Sequence, residues 1–212
     1  MKLSDFKIFV LHLSNKKDRM KNIDKLKKEL SSDLDIWWAC NGPIDKEIGE
    51  NCESLRTEYY DSQRRKDNLV YDKVYNCALN HYSIIKTSYE RGFENIMILE
   101  DDVRLKNGKK GLIDVLEKLP SNYVIAKLYY TNQQLYESAD SETFLAVKKL
   151  VKNNEWFLST AAYCLSREGM KRMIKAYDKI LKPADLMFKE TRDIVCQKCV
   201  FDIDETLPGS IV

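Results

Sequence analysis

The sequence predicts a single α/β domain, a mixed and mostly parallel sheet covered by helices on both faces. Three observations lead there. Short β-branched and aromatic apolar runs alternate with segments whose apolar residues recur at helical spacing. One run, Asn95-Ile96-Met97-Ile98-Leu99, is apolar throughout its last four residues, as in a strand buried on both faces of a parallel sheet. Finally, no internal repeat or low-complexity linker divides the 212 residues, so one domain over 1–212 is expected.

In chain order, Lys7-Ile8-Phe9-Val10-Leu11-His12-Leu13 reads as a buried strand. Ser14 or Asn15 can cap a helix carrying Met20, Ile23, Leu26 and Leu30 on one stripe. Asp35 to Ala39 is a second strand, ended by the turn signal Asn41-Gly42-Pro43. Residues 44–70 are polar and aperiodic, a length of chain that suits a lid over a bound ligand. A helix from about Tyr75 to Arg91 follows, with Gly92 as its left-handed cap. After the apolar strand come a helix near Lys110 to Leu119 and strands at Tyr123–Leu128, Thr143–Val151 and Thr160–Leu165. Ser166 and Gly169 open a helix through Tyr177, and a last strand covers Ile194 to Phe201. Some strands of this second half are expected to be antiparallel.

Composition excludes several classes. Apolar residues at 44%, charged residues at 32% and a net charge of +2 lack the concentrated basic excess of a nucleic-acid binder. Seven Gly and four Pro argue against disorder and against a Gly-rich phosphate loop, which weighs against a phosphotransferase or nucleotidyltransferase. No run approaches the roughly 20 apolar residues of a membrane helix. Asp5 and Lys7 interrupt the apolar N-terminus and no small-residue cleavage site follows, so a cytosolic protein with six reduced cysteines is expected. Cys196 and Cys199 have zinc-knuckle spacing but lack a second pair, and burial in a strand is the plainer reading. Lys16, Lys17, Lys21, Lys25, Lys27 and Lys28 form a basic helix face, either simply solvated or touching an anionic membrane at its periphery.

The strongest local signal is Glu100-Asp101-Asp102, three carboxylates closing an apolar strand. Ligands in open α/β sheets bind at the carboxyl ends of strands. An extended backbone puts Glu100 and Asp102 on one face and Asp101 on the other. With little positive charge nearby, such oxygens suit a hard cation, Mn²⁺ or Mg²⁺. A solvated loop is the bland alternative, and acidic strand ends also serve other phosphate chemistry.

The surroundings of the triplet narrow the choice. Cys77-Ala78-Leu79-Asn80-His81-Tyr82, then a helix, then Ile98-Leu99-Glu100-Asp101-Asp102-Val103 resembles glycosyltransferase family 25, whose pattern is roughly "GCALSH" followed by "ILEDDV". Further segments match in order. Val10-Leu11-His12-Leu13 through Asp18-Arg19 resembles the opening "INLDRxxDR", and Ala39-Cys40-Asn41-Gly42 sits at the family's "AvDG". Ser159 to Ser166 with Gly169 is similar to "GTaAYliSxxGA", and Pro183-Ala184-Asp185 to "PvD". His12, Ser14, Asn15, Asn41, Asn76 and Asn80 depart from the pattern, whereas the acidic triplet is intact.

The resemblance implies a GT-A-type nucleotide-binding domain and transfer of a sugar, galactose by analogy, from a UDP-sugar to a glycan acceptor such as lipooligosaccharide, which would be lipid-linked. It implies Mn²⁺ or Mg²⁺ held by Asp102 and Glu100. It places Leu11, His12, Leu13, Arg19, Ala39, Asn41, Gly42, His81, Glu100 and Asp101 around the nucleotide-sugar. Inversion needs a base for the acceptor hydroxyl, and Asp185, expected in a loop after Pro183, is the candidate. Each has a plainer structural reading: a helix-start Arg19, a core His81, an N-capping Asp185. Trp37, Trp38, Tyr129, Tyr130 and Trp156 are candidates for stacking on sugar rings, with core packing as the alternative. A non-catalytic carbohydrate-binding module on the same scaffold is the competing function.

Overall fold

A computed structural model describes residues 1–13, 17–30, 34–39, 68–130, 144–146, 159–178, 184–187, 193–196, 199–204 and 206–207. A short 3-10 turn, Leu3–Asp5, leads into β1 (Lys7–Leu13), α1 (Lys17–Leu30) and β2 (Leu34–Ala39). Then come α2 (Asn68–Glu90), β3 (Asn95–Glu100), β4 (Val103–Leu105), α3 (Gly108–Glu117) and β5 (Ile125–Lys127). The chain continues through β6 (Phe144–Ala146), β7 (Ala162–Ser166), α4 (Arg167–Tyr177), α5 (Ala184–Met187), β8 (Asp193–Cys196) and β9 (Phe201–Ile203).

Seven strands form one sheet in the order β2-β1-β3-β7-β5-β8-β6, and β4 pairs with β9 in a small second sheet. β1 is parallel to β2 and β3, and β5 to β8, while β7 and β6 run against their neighbours. The expected α/β class, mixed and mostly parallel, is what the chain adopts. Because strand side chains alternate, each strand feeds two cores. Ile8, Val10, Met97 and Leu99 face α1 and α3, meeting Ile23, Leu26, Leu30, Leu112 and Leu116. Phe9, Leu11, Ile96 and Ile98 face α2 and α4, meeting Leu79, Ile84, Ile85, Met170 and Met173. Ile96 through Leu99 are fully buried, each worth about 2 kcal/mol of apolar transfer. β3 is therefore the rigid centre from which the acidic triplet projects.

Helix boundaries follow local chemistry. Ser166 accepts a hydrogen bond from the Gly169 amide at 3.2 Å and caps α4, as expected. Gly169 has a second reason to be glycine: a Cβ there would stand 2.1 Å from the Val124 carbonyl oxygen. Gly92 takes φ +80° beyond the end of α2.

Three differences from the sequence reading matter. The expected last strand is two strands, β8 in the large sheet and β9 in the small one. The three-residue β4 was not anticipated; it is too short to show a period. Asp185 lies not in a loop but in the first turn of α5. Most of the polar stretch 44–70 expected as a lid, and most of the expected strand 143–151, lie outside the described residues. Among the described residues, no helix is long and apolar enough to cross a membrane.

Candidate functional site

β3 ends at Glu100, and Asp101 and Asp102 form a turn before β4. The expected extended geometry, with Glu100 and Asp102 side by side, is therefore corrected. The turn sends Asp101 and Asp102 to the α1 side and leaves Glu100 on the α2 side. Backbone bonds hold this arrangement: the Glu100 amide donates to the Ala161 carbonyl at 2.8 Å, and the Asp204 amide, just past β9, donates to the Asp102 carbonyl at 2.8 Å.

On the α1 side the two aspartates are not surrounded by neutral groups, as the sequence reading expected. Arg19, 5% exposed on α1, pairs with Asp101 and reaches Asp102 Oδ2 at 3.3 Å. Asp18, next to Arg19 at the start of α1, is exposed. His12 Nδ1, at the end of β1, lies 2.7 Å from Asp101 Oδ2 and donates to it. Asn22, one turn beyond Arg19, donates to the carbonyls of Asp101 at 2.9 Å and Val103 at 2.7 Å. Helical spacing places Arg19 and Asn22 on one face of α1, so a single helix clamps both side chains and backbone of the turn. Trp38 packs edge-on against His12 with ring centroids 5.2 Å apart, and is itself 56% exposed.

On the α2 side, Glu100 Oε1 accepts a hydrogen bond from Thr160 Oγ1 at 2.5 Å and lies 3.4 Å from His81 Nε2. The other nitrogen of His81 is 2.8 Å from the Tyr163 hydroxyl on β7. Burial opposes ionisation of Glu100, but His81, Thr160 and the charge of Arg19 outweigh it and hold the carboxyl below its ordinary range. Cys77, one helical turn before His81, has donor sulfur close to both groups. Burial, with the negative charge of Glu100 and Asp185, pushes its thiol up, and Asp102 adds to the effect. The short helix α5 packs against α2 and α4, which brings Asp185 to the α2 side of the sheet. Ser159, where the family pattern has Gly, takes φ 136°, a strained value, immediately before Thr160.

The remaining candidates divide. Leu11 and Ala39 are buried in the α2-side core, on the opposite face from His12, so Leu11 and His12 do not line one wall. Asn41, Gly42 and Trp156 lie outside the described residues, as does the side chain of Leu13. Trp37 packs against Phe9 with its ring turned 85°, and Tyr130 is fully buried with Tyr129 nearly so; these are core residues rather than sugar-stacking faces. Trp38 alone of the described candidates presents a large aromatic surface to solvent. The zinc-knuckle reading of Cys196 and Cys199 finds no second pair among the described residues; Cys199 is buried and points its thiol at the Tyr130 carbonyl. Cys77, Thr160 and Tyr163 received no role from the sequence, although all three fall within the segments that carried the resemblance.

The family model for glycosyltransferase family 25 (LPS biosynthesis protein) matches residues 5–188. Procollagen galactosyltransferase 1-B of Xenopus laevis is 25% identical over 182 residues, covering 82% of this chain and 29% of its own length. Procollagen galactosyltransferase 2 of Homo sapiens is 25% identical over 101 residues, covering 47% of this chain and 16% of its own. The chain thus spans less than a third of the length of these curated relatives. A solved glycosyltransferase involved in glycosylating the major capsid of PBCV-1 has a TM-score of 0.46 at 11% identity, over 90% of this chain and 80% of that one, too distant to add to the family match. With the match running from before β1 through α5, and so across every residue of the acidic site, the chain belongs to glycosyltransferase family 25.

Proposed function

We propose that this chain is a metal-dependent glycosyltransferase that moves a hexose, galactose by likeness to its relatives, from a UDP-sugar to a glycan acceptor. What supports the reading is one observation above all. The acidic turn after β3 stands at the carboxyl end of the central strand, where contacts from Arg19 fix Asp101 and Asp102 and contacts from His81 and Thr160 fix Glu100. Carboxylates so gathered fit a hard divalent cation, Mn²⁺ or Mg²⁺, with Asp102 and Glu100 as the residues that would hold it. Such an ion, when bound, offsets the negative charge that develops on a departing nucleoside diphosphate.

The chain's own residues have distinct tasks in this reading. Arg19 pairs with Asp101 and Asp102 and fixes them in direction. Thr160 and His81 do the same for Glu100. Asp185, partly exposed at the first turn of α5, takes the proton from the acceptor hydroxyl as that oxygen attacks the anomeric carbon, which gives inversion. Trp38 offers the exposed aromatic face. The acceptor is a glycan of the lipooligosaccharide type, reached from the cytosol with peripheral membrane contact through the lysines of α1.

Asp102→Asn is the test. It keeps the shape and the contact to Arg19 but removes a charge, so Mn²⁺-dependent UDP-sugar hydrolysis and transfer should fall by a factor of about 100 or more while the circular dichroism spectrum is unchanged. Full activity in the variant rejects the assignment. A second reading, a non-catalytic glycan-binding module, draws on the ion pairs that already neutralise Asp101 and Asp102. It predicts that the unmodified chain shows no thermal stabilisation by UDP with Mn²⁺.

A further inference from the structure

On α2, Cys77 and His81 are four residues apart and so share a helix face, which Glu100 meets from the end of β3. One donor atom from each, the Cys77 sulfur, a His81 ring nitrogen and a Glu100 oxygen, lie within 4.8 Å of one another, the one such group found among the described residues. His81 is 1% exposed, and its Nε2 has no hydrogen-bond partner although it is aimed at Glu100. The 3.4 Å from Nε2 to Glu100 Oε1 is a poor hydrogen bond. It matches the separation of about 3.3 Å between two ligands of a tetrahedral ion with bonds of about 2.0–2.1 Å. The supporting contacts are also those of a metal centre. Tyr163 holds the far nitrogen of His81 at 2.8 Å, fixing the ring, and Thr160 holds Glu100 at 2.5 Å.

We propose that Cys77, His81 and Glu100 form a binding site for a borderline-soft divalent cation, Zn²⁺ in preference to Mg²⁺ or Mn²⁺, with one coordination position left open. The sulfur and nitrogen donors set the preference, since thiolate and imidazole favour zinc over the hard cations that carboxylates alone would take. Three protein ligands leave the fourth vertex to water or another oxygen ligand, as in zinc sites that are not purely structural. On binding, the bond from sulfur to hydrogen breaks, a bond from sulfur to the cation forms, and the thiol proton leaves to the buffer. This site shares Glu100 with the donor cation site proposed above and differs from it in Cys77 and His81, so variants at Cys77 and at Asp102 separate the two.

The test uses the full chain stripped with a chelator and titrated with Co²⁺, which reports thiolate and tetrahedral ligation by colour. One equivalent of Co²⁺ should give visible bands together with a near-ultraviolet thiolate-to-cobalt band, both removed by stoichiometric Zn²⁺ and untouched by excess Mg²⁺. Cys77→Ser should abolish the near-ultraviolet band and weaken Zn²⁺ binding by about tenfold or more, with Cys77→Ala as a second variant if the first does not fold. Cys199→Ser and Asp102→Asn should both retain the band. Absence of any thiolate band in the unmodified chain overturns the proposal, as does a band that survives Cys77→Ser or is lost in Cys199→Ser. Loss of transfer in Asp102→Asn with the cobalt band intact bears on the donor site and leaves the zinc site standing.

Discussion

The two sides of the β3 carboxyl end are built from the same three consecutive acids, yet they are in opposite states. Toward α1, Asp101 and Asp102 are 2% and 4% exposed and already have their counter-charge in Arg19, with His12 and Asn22 completing the clamp. Toward α2, Glu100 meets a histidine nitrogen at a distance that no hydrogen bond closes and a thiol that burial keeps protonated. The first side is closed by its own ion pairs; on the second, sulfur, nitrogen and oxygen donor atoms converge within 4.8 Å of one another. A buried charge is tolerated only when paired, so the first side's contribution is rigidity of the turn, and the second is where a ligand gains most by arriving.

Breaking the closed side should have the largest effect on stability. Arg19→Met leaves two buried carboxylates without their guanidinium, and urea unfolding should show a loss of about 3–5 kcal/mol. A loss below about 1 kcal/mol would mean that the pair is solvated and that the comparison between sides is wrong. Asn22→Ala tests the same side through the backbone. It strands the carbonyls of Asp101 and Val103, both inside the clamp, and should cost about 1–3 kcal/mol. Neither variant removes a ligand of the proposed zinc site, so in either, provided it folds, Co²⁺ should still give its thiolate band.

Where the sequence was legible follows from the same contrast. Period and burial were strong for β1, α1, α2, β3 and α4, whose apolar stripes serve one core or two, and these elements fall close to their expected places, except that α2 begins at Asn68 rather than near Tyr75. Short pieces without a period were not readable: β4, α5, and the division of the last strand into β8 and β9. The triplet itself was visible, but its geometry was not, because a turn at Asp101 breaks the strand alternation that the expectation relied on. Arg19 was placed at the nucleotide-sugar, with an ordinary helix-start arginine as the alternative; its pairing with Asp101 and Asp102 could not be read because they are more than 80 residues away. Cys77 was noted only as part of a motif. Its helical spacing to His81 was available in the sequence, but the third donor became evident only once β3 was set beside α2.

The smallest effect separates Glu100 from its neighbours by pH. In metal-free protein the folded Glu100 carboxyl ionises below its ordinary value of 4.5, so the folded state binds fewer protons than the unfolded one between the two values. The stabilisation is therefore complete above that ordinary value and drains away as pH falls through the lower, folded one. Thr160→Val removes the hydroxyl that donates to Glu100 at 2.5 Å, while the ring of His81 and the charge of Arg19 stay in place. The variant should lose about 1 kcal/mol in urea unfolding near neutral pH, and that difference should shrink as pH falls below the ordinary value of 4.5 and the folded carboxyl takes up its proton. A difference that stays constant across this range would assign the Thr160 effect to packing against β7, and would leave His81 and Arg19 as the groups that keep Glu100 charged.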